Sequence, residues 1–257
     1  MATQKEKADA FKALHVKGSP VILFNIWDAG SARAVEQAGA KAIATGSWSV
    51  AAANGFADGE EAPLDLALAN VARIVASVSL PVTLDFEGGY ATDLSELKAN
   101  IKKVIAAGAI GINFEDQIVG GEGLYSIEDQ SARIEAVREA ADDAGIPLYI
   151  NARTDVFLKT YPAKDTEEQL EEAVRRGNAY AAAGGSGLFV PGLRDVNLIK
   201  SICERSSLPV NIMMLPDAAP TKTLAEQGVA RISYGPIPYR QMTAALQEAA
   251  RKAFSEL

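Results

Sequence analysis

Apolar and polar positions follow two periods along the chain, and the periods take turns. Short continuous apolar runs lie near residues 21–26, 41–46, 81–85, 110–115, 147–151, 187–191, 209–213 and 230–234. Each has the length of a strand buried on both faces. Amphipathic stretches separate most of them. L-D-L-A-L-A-N-V-A-R-I-V-A-S-V (64–78) repeats its apolar residues at helical spacing, and helices are also predicted over 126–145, 195–206 and 238–254. Ser126 with Asp129 three residues later makes a capping-box-like start. The junctions recur as well. E-Q-A-G-A-K-A-I-A (36–44), I-A-A-G-A-I-G-I-N (105–113), A-A-A-G-G-S-G-L-F (181–189) and A-E-Q-G-V-A-R-I-S (225–233) each close a helix on glycine and start a strand at once. Gly39, Gly108, Gly184 and Gly228 are therefore expected in the left-handed position that ends a helix. Two further junctions use proline, at 77–85 and 143–151.

Alternating helices and continuous apolar strands predict a parallel sheet. Eight such units in about 250 residues fit an α/β fold, a (β/α)8 TIM barrel, better than an open sheet. An open doubly wound sheet is the other arrangement these units allow, although no G-x-G-x-x-G opens a helix. No linker divides the chain, so residues 1–257 are expected to form a single domain.

Composition narrows the function classes. The chain has 257 residues, 48% of them hydrophobic, and a formal net charge of −8. No basic cluster stands out, which argues against a nucleic-acid or anionic-membrane partner. The polar N-terminus does not read as a signal peptide, and no run of about eighteen apolar residues predicts a membrane span. Cys203 is the single cysteine, so an intrachain disulfide and a cysteine-rich zinc site are excluded. Cys203 falls in a helix and is expected to be buried filler. These features predict a cytoplasmic protein. His15, in a helix before the first strand, reads as a surface residue.

The chemistry gathers where strands end. Those ends read N-I-W-D (25–28), T-G-S-W (45–48), D-F-E-G-G-Y (85–90), N-F-E-D-Q (113–117), N-A-R-T-D (151–155), P-G (191–192), N-I-M-M (211–214) and S-Y-G-P (233–236). In a barrel these ends share one rim, which holds the reacting groups. Asp85 and Glu87, two apart in an extended run, should project from one face. Paired carboxylates repel unless they share a proton or a cation. With Glu115 on the next strand they would form an all-oxygen pocket without histidine, a donor set for Mg2+ or Mn2+. The bland alternative is an acidic rim with Arg153 as counter-ion, paired to Asp155 or Glu115. Arg153 otherwise offers a planar fork for a carboxylate or phosphate. Gly46 and Ser47 offer N–H groups and a hydroxyl for an anion. Trp48 either roofs the pocket or packs, and Asp28 is read equally as a helix N-cap.

Taken together, D-F-E-G-G-Y, N-F-E-D-Q, N-A-R-T-D and G-F-A-D-G (55–59) resemble the isocitrate lyase/phosphoenolpyruvate mutase superfamily. The likeness runs from N-I-W-D-A-G-S-A-R (25–33) to S-Y-G-P. It implies a (β/α)8 barrel that binds Mg2+ and a small-molecule 2-oxo acid or its enolate. It also implies a homodimer or homotetramer, with the last helix exchanged between subunits. By motif, Asp85 would be the main metal carboxylate, with Glu87 and Glu115 acting largely through water. Gly46, Ser47 and Trp48 would contact the substrate, Arg153 would face its carboxylate and, with Asp58 as the polar group of the strand-2 loop, would be catalytic, and Asn211 would add a contact. The family's lyases carry K-K-C-G-H after strand 4. Here that segment reads I-V-G-G-E-G-L-Y (118–125), without Cys, Lys or His, and the metal motif is D-x-E where many relatives have D-x-D. The resemblance is thus to a short-loop branch. It implies a carbon–carbon lyase, with cleavage or decarboxylation of an oxaloacetate-like acid favoured because CO2 leaves without help from a loop acid. Tyr125, Glu122 or a water would return the proton. The alternatives are a phosphonopyruvate-type mutase or hydrolase and a non-catalytic 2-oxo acid binder.

Overall fold

In the computed structural model, which describes residues 2–256, every predicted apolar run overlaps a strand. These are β1 Val21–Leu23, β2 Ile43–Ala44, β3 Val82–Asp85, β4 Gly111–Glu115, β5 Tyr149–Arg153, β6 Gly187–Val190, β7 Val210–Met213 and β8 Arg231–Ser233. All pair in parallel, in the order β1-β8-β7-β6-β5-β4-β3-β2. β4 and β5 share the longest ladder, from Gly111 with Tyr149 to Glu115 with Arg153. The ring closes between β1 and β2 through one parallel bridge, Ile26 with Thr45. The Ile26 N–H donates to Ala44 O at 2.8 Å and the Gly46 N–H to Ile26 O at 3.1 Å. The eight-stranded architecture is therefore the (β/α)8 barrel that the alternation predicts.

The helices are α1 Gln4–Ala13, α2 Ala29–Gln37, α3 Ser47–Ala53, α4 Leu64–Ser77, α5 Leu94–Ala106, α6 Ile127–Asp143, α7 Glu167–Ala182, α8 Val196–Arg205, α9 Thr221–Glu226 and α10 Ile237–Phe254. Gly39, Gly108, Gly184 and Gly228 all have φ between 92° and 95° or at 98°, the left-handed conformation their position requires. Asp28 is an N-cap: it and Ser31 bond reciprocally at the start of α2. Ser126 caps α6 by accepting the Asp129 N–H.

Two apolar layers lie between barrel and helices. Leu97, Ile101 and Val104 of α5 and Ile134 and Val137 of α6 pack on Ile112, Phe114 and Ile150. Leu170 of α7 and Ile199 and Ile202 of α8 pack on Leu188, Val190 and Ile212. Each such side chain contributes about 1.5–3 kcal/mol on burial. Strand alternation turns the intervening residues into the lumen. There the barrel is polar: Thr83, Asn113, Asn151, Asn211, Arg231 and Ser233 are all buried.

Two expectations need correction. His15 is not on the surface. It lies just past the end of α1, is 9% exposed and stacks on Tyr149 at 4.0 Å, because α1 lies across the N-terminal end of the barrel with Phe11 facing inward and the chain beyond it carries His15 the same way. Glu87 is not in line with Asp85 along a strand. β3 stops at Asp85, and Glu87 takes φ +51°, so the chain has already turned. Cys203 is buried as expected. α10 is unusual in the opposite sense: Pro238 is its one buried residue, and Leu246 and Phe254 are 64% and 76% exposed. Among the described residues no helix is long and apolar enough to cross a membrane.

Candidate functional site

The strand ends meet over a cavity of about 190 Å³. Gly46, Ser47 and Trp48 follow β2, Asp58 lies in the loop beyond, Asp85 ends β3 and Arg153 ends β5, and all six border the cavity. Glu87, Glu115 and Asn211 stand behind its wall. Asn25, Asn113 and Ser233 line it too and had no role assigned from sequence, although each falls in a polar strand-end motif. Asn25 stitches the seam. Its Oδ1 accepts the Tyr234 and Gly235 N–H groups at 2.9 Å each, and its Nδ2 donates to Thr45 O at 2.8 Å.

Asp85 is the most heavily bonded acid at the cavity. Its Oδ2 accepts the Ser47 N–H and the Ser47 hydroxyl, each at 2.9 Å, and its Oδ1 accepts Asn113 Nδ2–H at 3.2 Å. The N–H and hydroxyl read from sequence as an anion cradle thus hold the Asp85 carboxylate itself. Three donors fix the plane of that carboxylate, and charge-assisted bonds of this kind are the stronger ones.

Arg153 is held on two sides. Its Nε and Nη2 donate to Asp155 Oδ1 and Oδ2 at 2.6 and 2.8 Å, and its Nη1 lies 2.8 Å from Glu115 Oε2. Burial opposes the charge, but Asp155 and Glu115 hold the guanidinium pKa well above its ordinary value. The same burial pushes the Glu115 carboxyl well above the usual range, with Arg153 pulling against it. Both pairings read from sequence as the bland alternative are present, and Arg153 still faces the cavity with N–H groups on Nη1 and Nη2 that Asp155 does not take. The neighbouring Asp116 is structural: it accepts the Asp155 N–H at 3.0 Å and the Tyr180 hydroxyl at 2.8 Å, deep under the rim.

Glu87 closes a loop. Its Oε2 accepts the Gly59 and Glu60 N–H groups at 3.0 and 2.9 Å, and Glu60 Oε1 returns the contact by accepting the Tyr90 N–H at 2.8 Å. Glu60, Glu87 and Tyr90 have φ of 61°, 51° and 56°, a conformation that non-glycine residues keep only under constraint, and such strain gathers at functional sites. The reciprocal clamp seats the segment carrying Asp58. Sequence reasoning missed Glu60, whose signal is the acid pair after G-F-A-D-G.

The acids press on one another. Burial, then the charges of Asp85 and Asp58, raise the Glu87 pKa to about 7. Asp58, exposed to solvent on its outer side, is also pushed up, first by desolvation at the mouth and then by Asp85. Behind Asp85 and Glu87 a chamber of about 10 Å³ has room for roughly one water. Among the described residues no three His, Cys, Asp or Glu side chains converge closely enough to ligate a metal directly. The donor set fits a hard divalent cation in another way. It is all oxygen, it carries excess negative charge beside an open cavity, and Mg2+ keeps several waters while taking one or two carboxylates.

The remaining expected residues fall as follows. Asn211 is buried below the floor, where it exchanges hydrogen bonds with Ser233 at 3.1 and 3.2 Å. Trp48 roofs the cavity beneath Arg240, whose guanidinium lies 4.7 Å from its ring. Tyr125 stacks on the Arg133 guanidinium at 4.5 Å and does not border the cavity, and Glu122 is exposed at the tip of a hairpin closed by Gln117 and Leu124.

Residues 11–254 match the family described as phosphoenolpyruvate phosphomutase. A structure from Burkholderia cenocepacia J2315, proposed to be a phosphonomutase, superposes with a TM-score of 0.95 at 47% identity, covering 98% of this chain and 100% of that one. An uncharacterized Mycobacterium tuberculosis protein, Rv1998c, is 31% identical over 94% of this chain and 88% of its own length. The oxaloacetate decarboxylase of Pseudomonas entomophila is 28% identical over 90% of this chain and 78% of its own. With its barrel and strand-end motifs in register, the chain belongs to the phosphoenolpyruvate phosphomutase family, within the isocitrate lyase/PEP mutase superfamily of lyases and mutases.

Proposed function

We propose that the protein is a Mg2+- or Mn2+-dependent carbon–carbon lyase acting on a small, oxaloacetate-like 2-oxo acid. The observation that carries this reading is the opposition of Asp85 and Asp58 to a fixed Arg153 across a cavity of about 190 Å³, a volume suited to a substrate of a few carbons. A divalent cation there would supply Lewis-acid stabilisation of charge developing on the 2-oxo group. Asp85, held by Ser47 and Asn113, would be its direct protein ligand, and Asp58, Glu87 and Glu115 would act on its waters. Arg153 presents spare N–H groups to the substrate carboxylate, and its two carboxylate partners keep it from swinging away. In decarboxylation the bond between C3 and the departing carboxylate breaks, CO2 leaves, and the electron pair passes into the enolate of the product. A proton then returns to C3. With Tyr125 turned to Arg133, a water at the cavity mouth is the better candidate to deliver it. Trp48 and Phe189 keep the pocket poor in water, which strengthens every electrostatic contact inside it.

The assembly belongs to the same reading. α10 leaves Met242 and Leu246 exposed beside a groove lined by Phe24, Trp27, Ala34 and Val35. A second copy of α10 is the occupant we infer, giving a homo-oligomer.

The test is a panel of 2-oxo acids, phosphonopyruvate included, offered to the purified protein with Mg2+ and followed by calorimetry and product analysis. Pyruvate and CO2 from oxaloacetate are expected, with turnover lost in Asp85→Ala and Arg153→Ala. Binding heat without product would make the protein a 2-oxo acid binder, and phosphonopyruvate turnover would make it a mutase or hydrolase. Normal turnover in both variants would mean the site lies elsewhere.

A further inference from the structure

The barrel lumen holds a charge that the proposed reaction does not use. Arg231, on β8, is 0% exposed and forms no ion pair among the described residues. Removing a guanidinium from water costs several kcal/mol unless it is well paired, and an apolar side chain would fill this lumen more cheaply. Its partners are neutral. Nη2 donates to Asn113 Oδ1 at 3.0 Å and Nε to Ser233 Oγ at 3.3 Å, while Nη1 has no partner. The Phe11 ring lies 6.0 Å away at the closed end of the barrel.

Asn113 connects this cation to the rim. Its Oδ1 accepts from Arg231 and also from Asn151 Nδ2 at 2.9 Å, while its Nδ2 donates to Asp85 Oδ1 at 3.2 Å. Two donors on one oxygen leave the amide a single orientation, with the NH2 group toward Asp85. The amide dipole then lies along the field between a buried cation and a carboxylate, where each bond polarises the next. On the other oxygen, Ser47 supplies two donors. The carboxylate plane is therefore set from below as well as from the side.

We propose that Arg231 is a positioning residue: through the locked amide of Asn113 it orients the Asp85 carboxylate for a divalent cation at the cavity. This rests on the reading of Asp85 as the metal carboxylate. Groups that orient a metal ligand typically alter metal affinity by about 10–100-fold when removed. Arg231 touches neither cation nor substrate, so its effect must pass through Asn113, and the two residues should not act independently.

The experiment is direct titration of Mn2+ into the metal-free protein, read by electron paramagnetic resonance, for wild type, Arg231→Met, Asn113→Ala and the double variant. Far-UV circular dichroism and melting temperature are recorded for each. Each single variant is expected to weaken Mn2+ binding at least tenfold while keeping its fold, and the double variant to lose no more than the worse single one. Wild-type affinity in folded Arg231→Met, or losses that multiply in the double variant, would overturn the proposal. Absence of Mn2+ binding by the wild type would instead overturn the metal reading of Asp85. Should Arg231→Met not fold, Arg231→Lys keeps the charge without the fork and should still weaken Mn2+. An atomic-resolution structure of the wild type with Mn2+ decides independently: Asn113 Oδ1 on Arg231 and Nδ2 on Asp85 is required, and the reverse amide orientation refutes it.

Discussion

Replacing Asp155 by asparagine tests the anchoring of Arg153 with little change in shape. Asp155 is fully buried and receives two charge-assisted bonds from Arg153, at 2.6 and 2.8 Å. Breaking a buried ion pair by removing one partner costs about 3–5 kcal/mol, because the other charge is left uncompensated. Here the lower end applies. Glu115 still pairs with Arg153 at 2.8 Å, and the asparagine oxygen can keep one of the two bonds. A loss of about 3 kcal/mol corresponds to a fall in melting temperature of about 6–12 °C for a chain of this size. The freed guanidinium should also bind substrate less well, so KM should rise by roughly tenfold, the equivalent of about 1.4 kcal/mol, with a smaller change in kcat. Thermal unfolding by circular dichroism reads the first effect, and initial rates over a substrate series read the second. A melting temperature within 2 °C of wild type (under about 1 kcal/mol), with KM unchanged, would refute the reasoning and leave Glu115 as a sufficient anchor.

Gly89→Ala should destabilise the protein by about 2–4 kcal/mol in urea unfolding. The position has φ +91°, and an added Cβ would stand 2.6 Å from Leu97 Cδ1 and 3.0 Å from Phe114 Cε2, so a near-neutral result would contradict the packing described. His15 gives a pH dependence. Burial, reinforced by Arg231, lowers its pKa from 6.5 to about 3, so the unfolded chain takes up a proton there before the folded one does. Its contribution is complete above pH 6.5 and is lost as pH falls toward 3, at about 1.4 kcal/mol per pH unit at most. Between pH 6.5 and 5 the unfolding free energy of wild type should therefore fall more steeply than that of His15→Phe, and parallel curves would disprove it. Leu246→Glu, on the exposed face of α10, should lower the oligomeric state seen by light scattering while leaving the monomer fold intact by circular dichroism.

The barrel was legible because each strand and helix declares its period, and glycine or proline marks each junction. Strand ends could be placed to within a few residues, and so could the polar groups on them. What side chains do around those ends was harder to read. Glu87 was assigned by strand alternation, but a left-handed backbone turn intervenes, and periodicity carries no sign of it. Glu115 looked like a partner of Asp85, yet the β4–β5 register sets it directly against Arg153. Asp155 was read as a partner of Arg153 and is one, but Asp116, next to Glu115 in sequence, received no role of its own, since only depth below the rim tells a structural acid from a reactive one. His15 was readable in hindsight: Ala8 and Phe11 form the buried face of α1, and His15, two residues past its end, continues their spacing. Arg231 gave no such sign, because a lone arginine in an apolar run has no periodic signature.

The single bridge that closes the barrel has a kinetic consequence. Between β1 and β2 the backbone pairing among the described residues is the one bridge of Ile26 with Thr45, reinforced by Asn25 Nδ2 on Thr45 O, whereas β4 and β5 share a full ladder. Local opening follows the weakest pairing, so amide hydrogens at Ile26 and Gly46 should exchange with solvent faster than those of β4 and β5. Gly46, Ser47 and Trp48 sit on that seam, while Arg153 ends the best-paired strand. The cavity thus has one wall that breathes and one that does not. A ligand spanning them would tie the seam to the well-paired wall and slow exchange there, and would act on the barrel as a rivet does on an open hoop.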